Sequence, residues 1–278
     1  MATPRAAVRR APAPPARLSR FPTPEAVKVP VVLAVFWLVK LATTAFGEAF
    51  SDSLGAHVVI GAAVELAMVT SAAWLQFRAT RYRATVYWYL AAAIATFGTG
   101  VADVTHQIGL SYSVTSAGWA IVLAAVFVAW YRTEGTLSIH SITTRRREVF
   151  YWCTVFATFA LGTALGDWTA DVVGLGYLPS AAIFSGLIVA VFALWRLLPV
   201  PTVIAFWSAY VLTRPAGASF ADYFSRSTAT SGAGYGPVPT AAVLGVLVVA
   251  GIAYLHRSGV DRPDAEGRAL DVPAEPVA

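Results

Sequence analysis

One pattern recurs four times in this chain and constrains its fold more than any other feature. An aromatic–tryptophan pair stands at Phe36-Trp37, Tyr87-Trp88, Tyr151-Trp152 and Phe206-Trp207. Ten residues after each Trp comes a glycine: Gly47, Gly98, Gly162 and Gly217. Fifteen after it comes an aspartate: Asp52, Asp103, Asp167 and Asp222. Four copies of (Phe/Tyr)-Trp-x9-Gly-x4-Asp at fixed offsets define a repeat, and a repeat sets the architecture before any single element does. Three copies carry Thr six residues after the Trp (Thr43, Thr158, Thr213), and three continue past the Asp into Gly-x-(Gly/Ser)-Tyr, at Gly109 to Tyr112, Gly174 to Tyr177 and Gly232 to Tyr235. The first copy has Gly55 and His57 there instead.

The solvent for this repeat is lipid. Only 13% of the residues are charged and 57% are hydrophobic, against about 25% charged in soluble domains. Apolar runs at about 30–50, 57–77, 85–103, 112–131, 149–167, 177–198, 200–220 and 238–256 are each near the roughly 20 residues that cross a hydrocarbon core. Eight crossings put 17 of the 20 Lys and Arg on one side and leave only Arg226 on the other, with Lys40 and Arg214 inside spans. The positive-inside rule then places both termini in the cytoplasm of a plasma (inner) membrane protein. Each unit starts and returns on that side, so the repeats are parallel, unlike the inverted repeats of many transporters. The expected fold class is all-α: an integral membrane bundle of eight transmembrane helices in four parallel helical hairpins, in two halves. The halves span 29–131 and 149–257, joined by a cytoplasmic loop at 132–148. Residues 1–28, rich in Pro, Ala and Arg, and 258–278 read as disordered tails. The net charge of +5 calls for anionic lipid headgroups beside the bilayer, not nucleic acid.

The segments "KVPVVLAVFWLVKLATTAFGEAFSD", "TRRREVFYWCTVFATFALGTALGD" and "FWSAYVLTRPAGASFAD" resemble bacterial membrane proteins built from four tandem two-helix repeats. Each such repeat has a characteristic Trp, and the family's function is unassigned. The likeness covers residues 28–256 and implies fold and topology, not a substrate. The second copy, "AAAIATFGTG", departs from it by having Ile94 where the others have Thr.

On a helix of 100° per residue, Trp, the residue after Gly, and Asp share one face. In the first unit that face holds Trp37, Glu48 and Asp52, with Lys40 at its edge; in the fourth it holds Trp207, Arg214 and Asp222. The glycine lies about 80° away, where it would let a neighbouring helix approach closely. Two plainer readings compete. The tryptophans could form an interfacial belt, and the aspartates could be wet, structural groups at the outer interface. Against the second, an acid at a helix C-terminus opposes the macrodipole. Seven acids lie in or at the outer end of spans: Glu48, Asp52, Glu65, Asp103, Asp167, Asp171 and Asp222. They are the candidates for a cation path, since intramembrane ionisable groups mark pathways. Lys40, which could pair with Glu48 or Glu65, and Arg214 are the opposing charges.

Other chemistries are excluded or weak. Cys153 is the single cysteine, so no disulfide or thiolate cluster forms within one chain, and it reads as a small packing residue. "GAGYGPV" at 232–238 is one copy of a Gly-Tyr-Gly sequence, without the four carbonyl loops of a potassium filter. His57, His106, His140 and His256 are scattered. No zinc-protease pattern or serine–base arrangement appears, so neither enzyme activity nor a cofactor is expected. The composite expectation is a small transporter or channel for a cation or proton, with the lipid bilayer and a small ion or solute as partners and an oligomer allowed. The alternatives are a transporter of a small organic or anionic solute and a non-transporting scaffold or sensor.

Overall fold

A computed structural model describes residues 22, 24 and 26–263. The remainder of the expected tails, 1–28 and 258–278, lies outside the described residues. Within them the chain is all-α, with helices α1 Ala34–Leu54, α2 Val58–Arg78, α3 Ala84–Gln107, α4 Tyr112–Glu134, α5 Arg145–Asp167, α6 Tyr177–Leu197, α7 Thr202–Ser225 and α8 Pro237–Ser258. The ends carry ordinary signals. Thr144 accepts a hydrogen bond from the Arg147 amide at the start of α5, and Ser111 does the same for Val114 at α4. Gly135 closes α4 in the left-handed conformation. By length and apolar composition six segments can cross a membrane, with α1 and α2 run together as Ala34–Arg78. The chain is a multi-pass membrane protein. Helix α7 is not among the six. It carries Ser208, Thr213, Arg214, Ser219 and Asp222, and most of that polarity is buried by protein rather than lipid.

The helices sort into two rings. The best apolar windows of α3 and α5 are 67% and 72% buried, against 17% in α4 and in α6. Helices α1, α3, α5 and α7 form the inner ring, each packed on the next and α7 on α1. The outer helices do not dock on the partner that precedes them in the repeat. Instead α2 packs on α3, α4 on α5, α6 on α7, and α8 closes the circle on α1. The expected repeat hairpins are therefore consecutive in chain but splayed in space. The reason is available surface: each inner helix gives two sides to inner neighbours and its outer side to the last helix of the preceding unit.

The ring is cemented at the end where the inner helices begin. Lys28, expected in a disordered tail, is buried there, pairs with Glu148 at 2.6 Å and donates to the Gln76 carbonyl. Burial pulls its ammonium below the usual lysine range, with Glu148 opposing. The Val31 amide donates to the Asp261 carbonyl at 2.9 Å, and the Tyr82 hydroxyl donates to the Asp261 carboxylate. The two ends of the described chain thus meet. Cys153 is exposed on the outer surface rather than packed.

Candidate functional site

The repeat's residues can be followed upward through the inner ring. The aromatic before each Trp touches the Trp of the next unit. Phe36 meets Trp88 at 5.5 Å between ring centroids, Tyr87 meets Trp152 at 5.2 Å, Tyr151 meets Trp207 at 6.0 Å, and Phe206 meets Trp37 at 5.7 Å. Equal offsets meet at equal depth all the way round, so the four inner helices run parallel. Trp88, Trp152 and Trp207 are buried and Trp37 is half-buried. This corrects the interfacial-belt reading. These rings are core, and the Trp207 indole N–H is satisfied by the Leu137 carbonyl at 2.9 Å.

Above the aromatics each repeat glycine faces the neighbouring inner helix. A Cβ on Gly47 would stand 2.4 Å from Ala95 Cβ, on Gly98 2.8 Å from Phe159 Cβ, on Gly162 2.3 Å from Arg214 Cγ, and on Gly217 2.6 Å from Thr44 Cγ2. Thr44, Ala95, Phe159 and Arg214 are themselves equivalent, seven residues after their Trp. The glycines form a collar through which the helix backbones close up. Thr43, Thr158 and Thr213 return their hydroxyls to their own helices, at the carbonyls of Lys40, Val155 and Tyr210. Such a hydroxyl is dispensable, which is why Ile94 can replace it.

At mid-depth sits a polar hub. Arg214 is fully buried. Its Nη2 donates to Glu48 Oε2 at 2.6 Å, to Thr163 Oγ1 at 2.5 Å and to Thr99 Oγ1. Its Nη1 reaches the Thr44 carbonyl at 2.8 Å and its Nε the Phe159 carbonyl at 3.2 Å. Thr99 and Thr163 also donate to Glu48 Oε2. Glu48, Thr99 and Thr163 are equivalent, one residue past each glycine. The fourth unit has Ala218 there, and Arg214 rises from one turn below to fill the gap. Sequence reasoning missed the two threonines; the polar column after the glycines was the signal.

Lys40 does not meet an acid. Its ammonium lies 4.1 Å from the centre of the Phe159 ring and 4.3 Å from that of Tyr210, and donates to Thr44 Oγ1 at 3.2 Å. Glu48 is two turns further along, about 12 Å by helix rise, and helical side chains lean toward the N-terminus, away from it. Cation–π contact takes the place of the expected pair. Glu65 leaves the ring too. It accepts from Ser51 at 2.6 Å and occupies the space that Gly100 leaves open between α2 and α3. Asp171 is exposed in the π-helical turn Trp168–Val172.

The remaining acids converge where the inner helices end, with Glu48 reaching toward them from the hub. Carboxylate oxygens of Glu48, Asp167 and Asp222 all lie within 4.8 Å of one another. Arg226 bridges Asp222 and Asp52, 3.1 Å from each, and its backbone is fixed by bonds to Asp222 and Gly234. The sequence marked Arg226 only as the lone outer basic residue. Asp103 is half-buried at the same level and Asp167 is 4% exposed; no described residue hydrogen-bonds or ion-pairs with either side chain.

Known proteins place this arrangement in a lineage without supplying a function. No curated protein and no solved structure matches the chain. A family described as Repeat of Unknown Function (DUF347) matches residues 86–136, 150–198 and 205–261, which are the second, third and fourth units. With three consecutive units covered, over more than half its length, the chain belongs to the DUF347 repeat family.

Proposed function

We propose that the protein is a transporter or channel for a small cation or proton. On this reading it crosses the inner membrane eight times as four parallel units, with both termini cytoplasmic. No catalytic step is involved. The observation that carries the proposal is a charge imbalance in the outer half of the inner ring. Five carboxylates (Glu48, Asp52, Asp103, Asp167, Asp222) face two guanidiniums, Arg214 and Arg226. Uncompensated charge at membrane depth is expensive, so a cation or protons must balance it. The basic groups weigh against an anionic substrate, because Arg214 is spent on protein acceptors and Lys40 on aromatic rings. The scaffold reading draws on a different fact: the Trp and Gly motif residues all serve packing.

Flux measurements on the purified protein in liposomes separate these readings. Cation- or proton-dependent flux that falls in Asp167→Asn and Asp222→Asn, with unchanged melting, is the expected result. Normally folded protein that moves no cation under any gradient would leave the scaffold.

A further inference from the structure

We propose that Glu48, Asp167 and Asp222 form a binding site for a divalent cation of the hard, oxygen-ligated class: Mg2+, Mn2+ or Ca2+. The site deepens the transport reading and rests on it for its purpose, though its chemistry is independent. Two oxygens on one such ion are at most about 5 Å apart at ligand distances of 2.0–2.6 Å. The three carboxylates meet that bound, each coming from a different inner helix. Their other partners are disposed to leave room. The hydrogen bonds to Glu48 from Arg214, Thr99 and Thr163 go to Oε2, and the one to Asp222 from Arg226 goes to Oδ1. Donors on one oxygen hold a carboxylate ionised and leave the second oxygen for a metal.

Asp167 points to a ligand on its own account. Asp167 is 4% exposed as a residue, and no described residue hydrogen-bonds or ion-pairs with its carboxylate. A buried carboxylate without a partner is among the costliest arrangements a fold can keep, yet this one is aimed at two further carboxylates. The Ser219 hydroxyl is also fully buried without a partner, in the seam between α5 and α7 beside Gly166. Cys and His are absent from the cluster, and an all-oxygen donor set selects hard divalent ions over zinc or copper.

The test is a titration of the full-length protein in nanodiscs with Mn2+, read by electron paramagnetic resonance. One saturable Mn2+ per chain, displaced by Mg2+ or Ca2+, is expected. Asp167→Asn and Asp222→Asn should each weaken it roughly tenfold or more, while Glu134→Gln, at the opposite end, should not. Absence of saturable Mn2+ binding by the wild-type protein overturns the site, and so does binding that both Asp variants retain at full strength. Proton or monovalent flux without Mn2+ binding overturns the site and leaves the transport reading. Mn2+ binding without flux of any cation does the reverse.

Discussion

At the scale of single residues the repeat separates into groups that touch a neighbour and groups that touch only their own helix. A methyl on Gly162 would overlap Arg214 and Pro215, and one on Gly47 would meet the backbone of α3. Alanine at either position should cost about 1–3 kcal/mol, the usual penalty for overpacking. Thr158→Val loses only a bond to Val155 of its own turn and should cost less than about 1 kcal/mol. Parallel thermal melts in detergent check the contrast, and equal melting temperatures for all three variants would defeat it. The hub behaves differently because its charges are desolvated. Glu48→Gln leaves Arg214 without its counter-ion and should cost about 3–5 kcal/mol. The double change to methionine at positions 48 and 214 should recover more than half of that, as judged by denaturant titration. The glycine role was legible in the sequence, because spacing alone put small residues beside a helix face. The Lys40 contact was not. A charge count proposes partners by sign, but side-chain lean and the rings of two other helices decided this case.

At the scale of elements, the all-α, multi-pass character could be read from apolar runs, since hydrocarbon thickness fixes length. The structure carries the inner helices farther, α3 to Gln107 and α7 to Ser225. Asp103 and Asp222 therefore lie within a helix rather than past its end. Which helices touch was not legible. The sequence repeat and the packed pair are out of phase by one helix, and a repeat reports ancestry of the unit rather than its contacts. The α1–α8 seam gives the sharpest check, because these helices are farthest apart in sequence. A Cβ on Gly251 would lie 3.9 Å from Val39 Cβ, within the disulfide range of about 3.5–4.5 Å. Val39→Cys with Gly251→Cys, in a Cys153→Ser background, should therefore cross-link on mild oxidation. The readout is a reducible mobility shift in gel electrophoresis. No shift, in protein that melts normally, would place α8 elsewhere.

At the scale of the molecule, the two halves are interlocked. Helix α4 of the first half docks on α5 of the second, and α8 of the second docks on α1 of the first. Cutting the chain at Ser138 and co-expressing the pieces should yield a complex that co-purifies, while either piece alone should be degraded. Recovery of a stable, monodisperse single half would contradict the interlock. The exchange of outer helices was not legible in the sequence, because nothing in one unit marks its partner in another. Ring closure also bears on biogenesis. Ribosomes deliver this chain from one end, so of the eight helices α1 emerges first, yet Lys40 meets its rings on α5 and α7, and Glu48 its guanidinium on α7. Until α7 emerges, α1 carries an ammonium without both of its aromatic rings and a carboxylate without its guanidinium, and its outer flank stays open until α8 follows. Of the eight helices α1, although made before the others, is therefore among the last to complete its contacts.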